Sequence, residues 1–234
     1  MISEMFAHGF IQRAFIGGVL VSLCAALLGV SLVLKRYSMI GDGLSHVSFG
    51  ALSMAIALGF APIKFSIPIV IIAAFFLLRL AENGKMKSDA AIAMVSASSL
   101  AIGVIVTSLT TGLSTDVCSY MFGSILAMSK DDVIFSVVLS VVVLIMFGFC
   151  YHRIFAVTFD ESFSKATGVK VGMYNTLISI FTAVTVVLGI KMMGAMLISS
   201  LIIFPALTSM RVFKSFLSVT ICSAILAVIN FTAG

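Results

Sequence analysis

Eight long apolar stretches divide the chain, and no soluble core has room for them. They run Ala14–Leu34, Gly41–Phe60, Ser66–Leu80, Ala90–Thr110, Val133–Cys150, Val171–Ile190, Met192–Met210 and Ser215–Thr232. A spanning helix needs about 20 residues, with a range of about 17 to 25, so the shorter stretches need flanking residues or a locally thin bilayer. Of the 234 residues, 61% are hydrophobic and 10% charged. These features predict an all-α polytopic membrane protein of about eight transmembrane helices, forming a single domain over 1–234. A further stretch, "SYMFGSILAMS" (Ser119–Ser129), is too short to cross alone and reads as a re-entrant or half-helix. The N-terminal "MISEMFAHGFIQRAFIGG" lacks the basic region and short apolar core of a signal peptide, so the first apolar run serves as both signal and anchor.

Basic residues between the stretches set an expected orientation. One set of alternate connections holds Lys35, Arg36, Arg79, Lys85, Lys87, Arg153, Lys165, Lys170, Arg211 and Lys214; the other holds Arg13, Lys64, Lys130 and Lys191. The richer set is expected on the cytoplasmic side of a prokaryotic cell membrane. Both termini then fall outside, provided Ser119–Ser129 does not cross. The net charge of +5 is thereby explained by membrane orientation, and no nucleic-acid partner is implied.

The second stretch opens "GDGLSHVSFG", with Asp42 and His46 at i and i+4. On a helix they share a face and can meet a common ligand or each other. A carboxylate in hydrocarbon costs a few kcal/mol or more. With a helix beginning just after Lys35 and Arg36, His46 lies about 15 Å in, near the middle of a core about 30 Å thick. An imidazole and a carboxylate suit Zn²⁺, Mn²⁺ or Fe²⁺. One Asp and one His make half a site, and a homodimer with its axis along a pore would supply the other half. The alternative is a structural Asp–His contact within one helix. Gly41, Gly43 and Gly50 fit either close helix contacts or a flexible backbone.

Between the fifth and sixth stretches, "FDESFSKATG" reads as a short amphipathic helix. Asp160 is its N-cap with Glu161 following, Phe159, Phe163 and Ala166 share an apolar face, and Gly168 ends it. It is either an interfacial anchor against membrane lipid or a docking element for a cytosolic partner. Asp116, Asp131 and Asp132 fall on the expected outer side and read as helix caps, with Asp131 and Asp132 a helix N-terminal charge pair, or as an attractor of incoming cations. His8 and His152 lie near span ends, and Pro205 marks an expected kink. The cysteines, Cys24, Cys118, Cys150 and Cys222, are scattered without CxxC spacing and read as packing residues. HExxH, GxSxG and Walker A sequences are absent, so no catalytic residue or permanently bound cofactor is expected. ATP hydrolysis, if it drives this protein, belongs to a separate chain.

"LVLKRYSMIGDGLSHVSFGALSMAIALG", "ENGKMKSDAAIAMVSASSLAIGVIV", "SYMFGSILAMSKDDV", "FDESFSKATGVKVGMYN" and "KMMGAMLISSLIIFPALTSM" together resemble, in order and spacing, the permease family of ABC importers for zinc, manganese and iron. The resemblance covers about Gln12 to Arg211. It implies a homodimeric channel that takes a divalent transition metal from an extracytoplasmic metal-binding protein and is powered by cytosolic ATP-binding subunits. By the same resemblance the metal pair falls on Asp42 and His46, and the ATPase-coupling helix on Phe159 to Gly168. The family usually reads "DALSHA", where this chain has Gly43 and Val47. Family members also continue past the equivalent of Asn230 into another apolar span, so a C-terminally truncated permease is one expectation. Two other functions compete: an ATPase-independent secondary metal transporter or channel, and an intramembrane metallo-hydrolase built on Asp42 and His46.

Overall fold

A computed structural model describes residues 9–37, 39–82, 88–110, 123 and 130–233. The described residues form α1 (Gly9–Leu34), α2 (Ile40–Ala57), α3 (Pro62–Glu82), α4 (Ser88–Leu109), α5 (Lys130–Phe159), α6 (Glu161–Ala166), α7 (Val171–Val212) and α8 (Phe216–Ala233). Each apolar stretch of the sequence coincides with helix except for a residue or a few at its ends. The half-helix expected over Ser119–Ser129 lies outside the described residues apart from Gly123, as do Lys85, Lys87, Asp116, Cys118 and His8.

α7 is the centre of the bundle, packing on α1, α2, α3 and α8, while α4 leans on α2. The outward faces of α4, α5 and α8 carry exposed Ile105, Leu109, Ile145, Phe149, Ile221 and Ile225. A continuous apolar surface of this kind would be untenable in water and is what hydrocarbon requires. With lipid as solvent the hydrophobic effect cannot drive helix against helix, so small residues and close backbone approach must. At Gly29 an added Cβ would lie 2.0 Å from the Ile202 carbonyl oxygen.

The sequence places a break between Ile190 and Met192, at Lys191, and a kink at Pro205. The backbone is instead broken at Gly194 (φ 82°, ψ 165°), and helical angles continue through both Lys191 and Pro205. Gly194 is the residue that tolerates this conformation without a Cβ clash. A Cβ at Gly189 would stand 2.4 Å from Cδ1 of Ile198. In a straight helix those residues would be about 13.5 Å apart along the axis, so α7 doubles back at Gly194 into two antiparallel arms. Lys191 can stay helical and buried because its Nζ meets Asp132 Oδ2 of the first turn of α5 at 2.5 Å.

Close contacts fix the direction of each helix. Gly17, near the start of α1, faces Met192 and Val137, so α5 begins at the end of the bundle where α1 begins and α7 turns. Gly43 faces Ile92 and Gly50 faces Ser99, so α4 runs parallel to α2 and finishes at that same end. α4 therefore ends and α5 begins at one end of the bundle, which is the condition on which the expected orientation depended. At the opposite end Lys35 of the α1–α2 turn meets Glu161 and Asn175, and Tyr151, Phe155 and Phe159 cluster on Phe216.

Candidate functional site

α1 ends in a tight reversal. Arg36 N–H donates to Val33 O at 3.0 Å and Tyr37 N–H to Leu32 O at 2.9 Å, with Arg36 in the left-handed region at φ 60°. This is the pattern of a Schellman closure, and it is unusual in using an arginine where glycine is the common choice. α2 then starts at Ile40, with Asp42 in its first turn. His46 thus lies about 9 Å along its helix at 1.5 Å per residue, shallower than the 15 Å expected, because the reversal occupies the residues after Lys35.

Asp42 and His46 do share a face. Nε2 of His46 and Oδ2 of Asp42 are 3.7 Å apart, with the side chains 27% and 49% exposed respectively. That spacing is too long for a hydrogen bond. Two donors on one tetrahedral ion at about 2.1 Å would be about 3.4 Å apart, so closing on a shared ion needs only a few tenths of an ångström. The pair borders a cavity of about 140 Å³ whose other walls are Phe49, Leu100, Ala195 and Met196. Three helices therefore build it: α2 supplies Asp42, His46 and Phe49, α4 a wall, and α7 the first residues after its turn.

The three glycines near the pair are contact positions. A Cβ would come within 3.1 Å of Ile202 at Gly41, 2.6 Å of Ile92 Cγ2 at Gly43 and 2.7 Å of the Ser99 carbonyl oxygen at Gly50. They let α7 and α4 close on the helix that bears Asp42 and His46. Sequence reasoning missed Ser45 and Ser199, whose hydroxyls lie 3.0 Å apart and join α2 to the return arm of α7. Each hydroxyl also lies 2.8 Å from a carbonyl one turn back, Gly41 and Ala195. The "DGLSH" spacing would have flagged Ser45, which sits between the two donors, but nothing local marks its partner 154 residues away.

Among the described residues no group of three or more His, Cys, Asp or Glu could hold a metal ion. His152 is exposed and stacks edge-on with Tyr151. Cys24 is buried against Ser140, and Cys24, Cys150 and Cys222 are free thiols. Asp131 and Asp132 lie in the first turn of α5, where their charge complements the positive end of the helix dipole, and Asp132 additionally neutralises Lys191.

The second candidate element is α6. Asp160, in extended conformation, caps it by accepting from the Phe163 N–H at 2.9 Å. Gly168 at φ 80° closes it, with its N–H on Lys165 O and the Val169 N–H on Ser164 O. Phe159 belongs to the end of α5, where it packs on Phe155 and Phe216, but it is still largely exposed. Phe163 is 64% exposed and Ala166 is also uncovered, so this end of the protein presents apolar groups outward. Glu161 faces inward: its Oε1 accepts from Lys35 Nζ at 2.8 Å and from Asn175 Nδ2 at 3.1 Å. Partial burial pushes its pKa up. The hydrogen bonds from Lys35 and Asn175 and the charges of Lys35 and Lys165 outweigh that and hold it below the ordinary glutamate value.

The model of the ABC 3 transport family matches residues 7–234. The chain is 30% identical to the high-affinity zinc uptake system membrane protein ZnuB of Buchnera aphidicola, over 94% of this chain and 84% of that one. It is 28% identical to the manganese import system permease protein ScaB of Streptococcus gordonii, over 93% and 78%. Among solved structures it is similar to a chain of PsaBC from Streptococcus pneumoniae in complex with Fab, with a TM-score of 0.84 at 27% identity, covering 98% of this chain and 84% of that one.

Proposed function

Since the chain belongs to the ABC 3 transport family, we propose that it is the membrane subunit of an ATP-driven importer that passes zinc or manganese through a homodimeric pore. Family membership makes it a multi-pass transport protein of the cell membrane and removes the intramembrane hydrolase from consideration. The observation that carries the finer reading is the Asp42–His46 pair, two donors 3.7 Å apart at the rim of a small cavity and incompletely covered by their own chain. A second copy contributing the same pair would complete four ligands around one ion. Passage requires that such a site bind the ion loosely enough to release it. The names of the zinc and manganese relatives support those two ions as cargo. An extracytoplasmic binding protein would deliver the ion at the end of the bundle where α7 turns. Cytosolic ATPases would engage the outward-facing Phe163 and Ala166 of α6, with Phe159 beside them, and that docking surface favours the ATP-driven reading over an ATPase-independent channel.

The test is metal uptake by reconstituted complexes. Asp42→Asn keeps shape and removes the charge; His46→Leu removes the ligand and keeps apolar bulk. Both are expected to assemble with the ATPase bound and to lose at least tenfold in zinc or manganese uptake. Uptake at wild-type rates in either assembled variant would reduce the pair to scaffolding.

A further inference from the structure

The Lys35 side chain is 6% exposed, and its ammonium is spent on two partners, Glu161 Oε1 at 2.8 Å and Asn175 Oδ1. Asn175, itself buried, donates back to the same Glu161 oxygen at 3.1 Å. The three groups close a triangle whose corners lie on three elements: the turn that ends α1, the first residue of α6 and the start of α7. A buried lysine without its carboxylate would be strongly unfavourable, so the three elements are bound to move together.

The described residues between Lys35 and α2 are tied by hydrogen bonds. Arg36 and Tyr37 are locked by hydrogen bonds to Val33 and Leu32, Ile40 N–H donates to Tyr37 O at 3.1 Å, and Gly43 N–H donates to Met39 O at 3.0 Å. There is little slack between the lysine and Asp42, seven residues on. α6 is equally stiff, capped by Asp160 and closed by the Gly168 turn. A displacement of α6 therefore has a rigid route, through Glu161 and Lys35, to the base of the helix that carries Asp42 and His46.

We propose that Lys35 is a positioning residue that transmits movement of α6 to α2, coupling nucleotide-driven motion of an ATPase to the metal pair. This rests on the reading of α6 as the ATPase-docking element. It predicts a specific defect, loss of coupling without loss of docking, because Lys35 touches neither the exposed Phe163 face nor the metal donors.

The complete complex, with ATPase and binding protein, is reconstituted, and zinc or manganese uptake is measured alongside ATP hydrolysis. Lys35→Met is expected to retain the ATPase and hydrolyse ATP, while ions carried per ATP fall at least tenfold. The charge exchange Lys35→Glu with Glu161→Lys is expected to bring that ratio back to within about threefold of wild type. A Lys35→Met complex with the wild-type ratio overturns the proposal, and so does a proportional fall in both rates that leaves the ratio intact, the mark of a merely structural role. Should Lys35→Met fail to fold, the charge exchange decides: folded and coupled supports the joint, folded and uncoupled overturns it. A wild-type complex with no ATP-dependent uptake would overturn the importer reading itself, and this inference with it, a result distinct from a coupled wild type with an unaffected variant.

Discussion

Gly43 and Gly50 sit one above the other along α2, yet substitution should treat them differently. At Gly50 the obstacle to a side chain is the Ser99 carbonyl oxygen, 2.7 Å from where a Cβ would be; at Gly43 it is the Cγ2 of Ile92, the movable end of a side chain, at 2.6 Å. Backbone can yield only by separating α2 from α4, whereas Ile92 can shift within its own space. Gly50→Val is therefore expected to cost about 1 to 3 kcal/mol, the usual range for overpacking, and Gly43→Ala less than about 1 kcal/mol. Thermal unfolding of the purified protein would separate them, and equal losses would contradict the contact geometry. At this scale the sequence was legible wherever the relation is short: Asp42 and His46 are four residues apart, and helix periodicity alone aligns them. Whether the glycines flex or pack could not be read, because Ile202, Ile92 and Ser99 are all remote in the chain.

α6 has only six residues, so its ends decide whether it exists. Replacing Asp160 with alanine removes the acceptor for the Phe163 N–H and should cost about 1 kcal/mol, a normal N-cap loss, visible as faster amide exchange confined to residues 161–166. Phe163→Asp should do the reverse: because Phe163 is mostly exposed, the fold should keep its melting temperature while an ATPase no longer co-purifies. Retention of the ATPase would show that α6 is only an interfacial anchor. Glu161 adds a pH dependence. Its pKa is lower in the folded protein than the ordinary 4.5, so its stabilising contribution is complete above that value and is lost as pH falls through the acid range below it. Glu161→Gln should flatten this acid limb, and an unchanged limb would mean that the Lys35 contact contributes little in solution. The cap and the glycine stop were legible because capping is local chemistry. Glu161's partners were not, since Lys35 and Asn175 reach it from 126 residues before and 14 after.

The placement of the turn in α7 was missed for a reason that belongs to the whole molecule. A lysine in an apolar run reads as a loop, and only the fold brings Asp132, 59 residues away, to neutralise it and carry the reversal on to Gly194. The buried ion pair also sharpens the orientation. With Lys191 neutralised, the basic side chains described at the end where α1 begins come down to Lys64 and Lys130. The opposite end holds Lys35, Arg36, Arg79, Arg153, Lys165, Lys170, Arg211 and Lys214. Because α4 ends and α5 begins at the same end, the charge bias applies to the entire bundle. In the orientation this bias predicts, the end bearing α6 faces the cytoplasm, where ATP is, and the cavity reaches from Asp42 in the first turn of α2 up to Ala195 and Met196 beside the turn of α7. Single cysteines introduced at Lys64 and Thr232 should react with an impermeant maleimide on intact cells. One at Lys165 should react only after permeabilisation. The opposite pattern would place α6 outside, away from any ATPase, and with it would go the importer reading and the coupling role of Lys35.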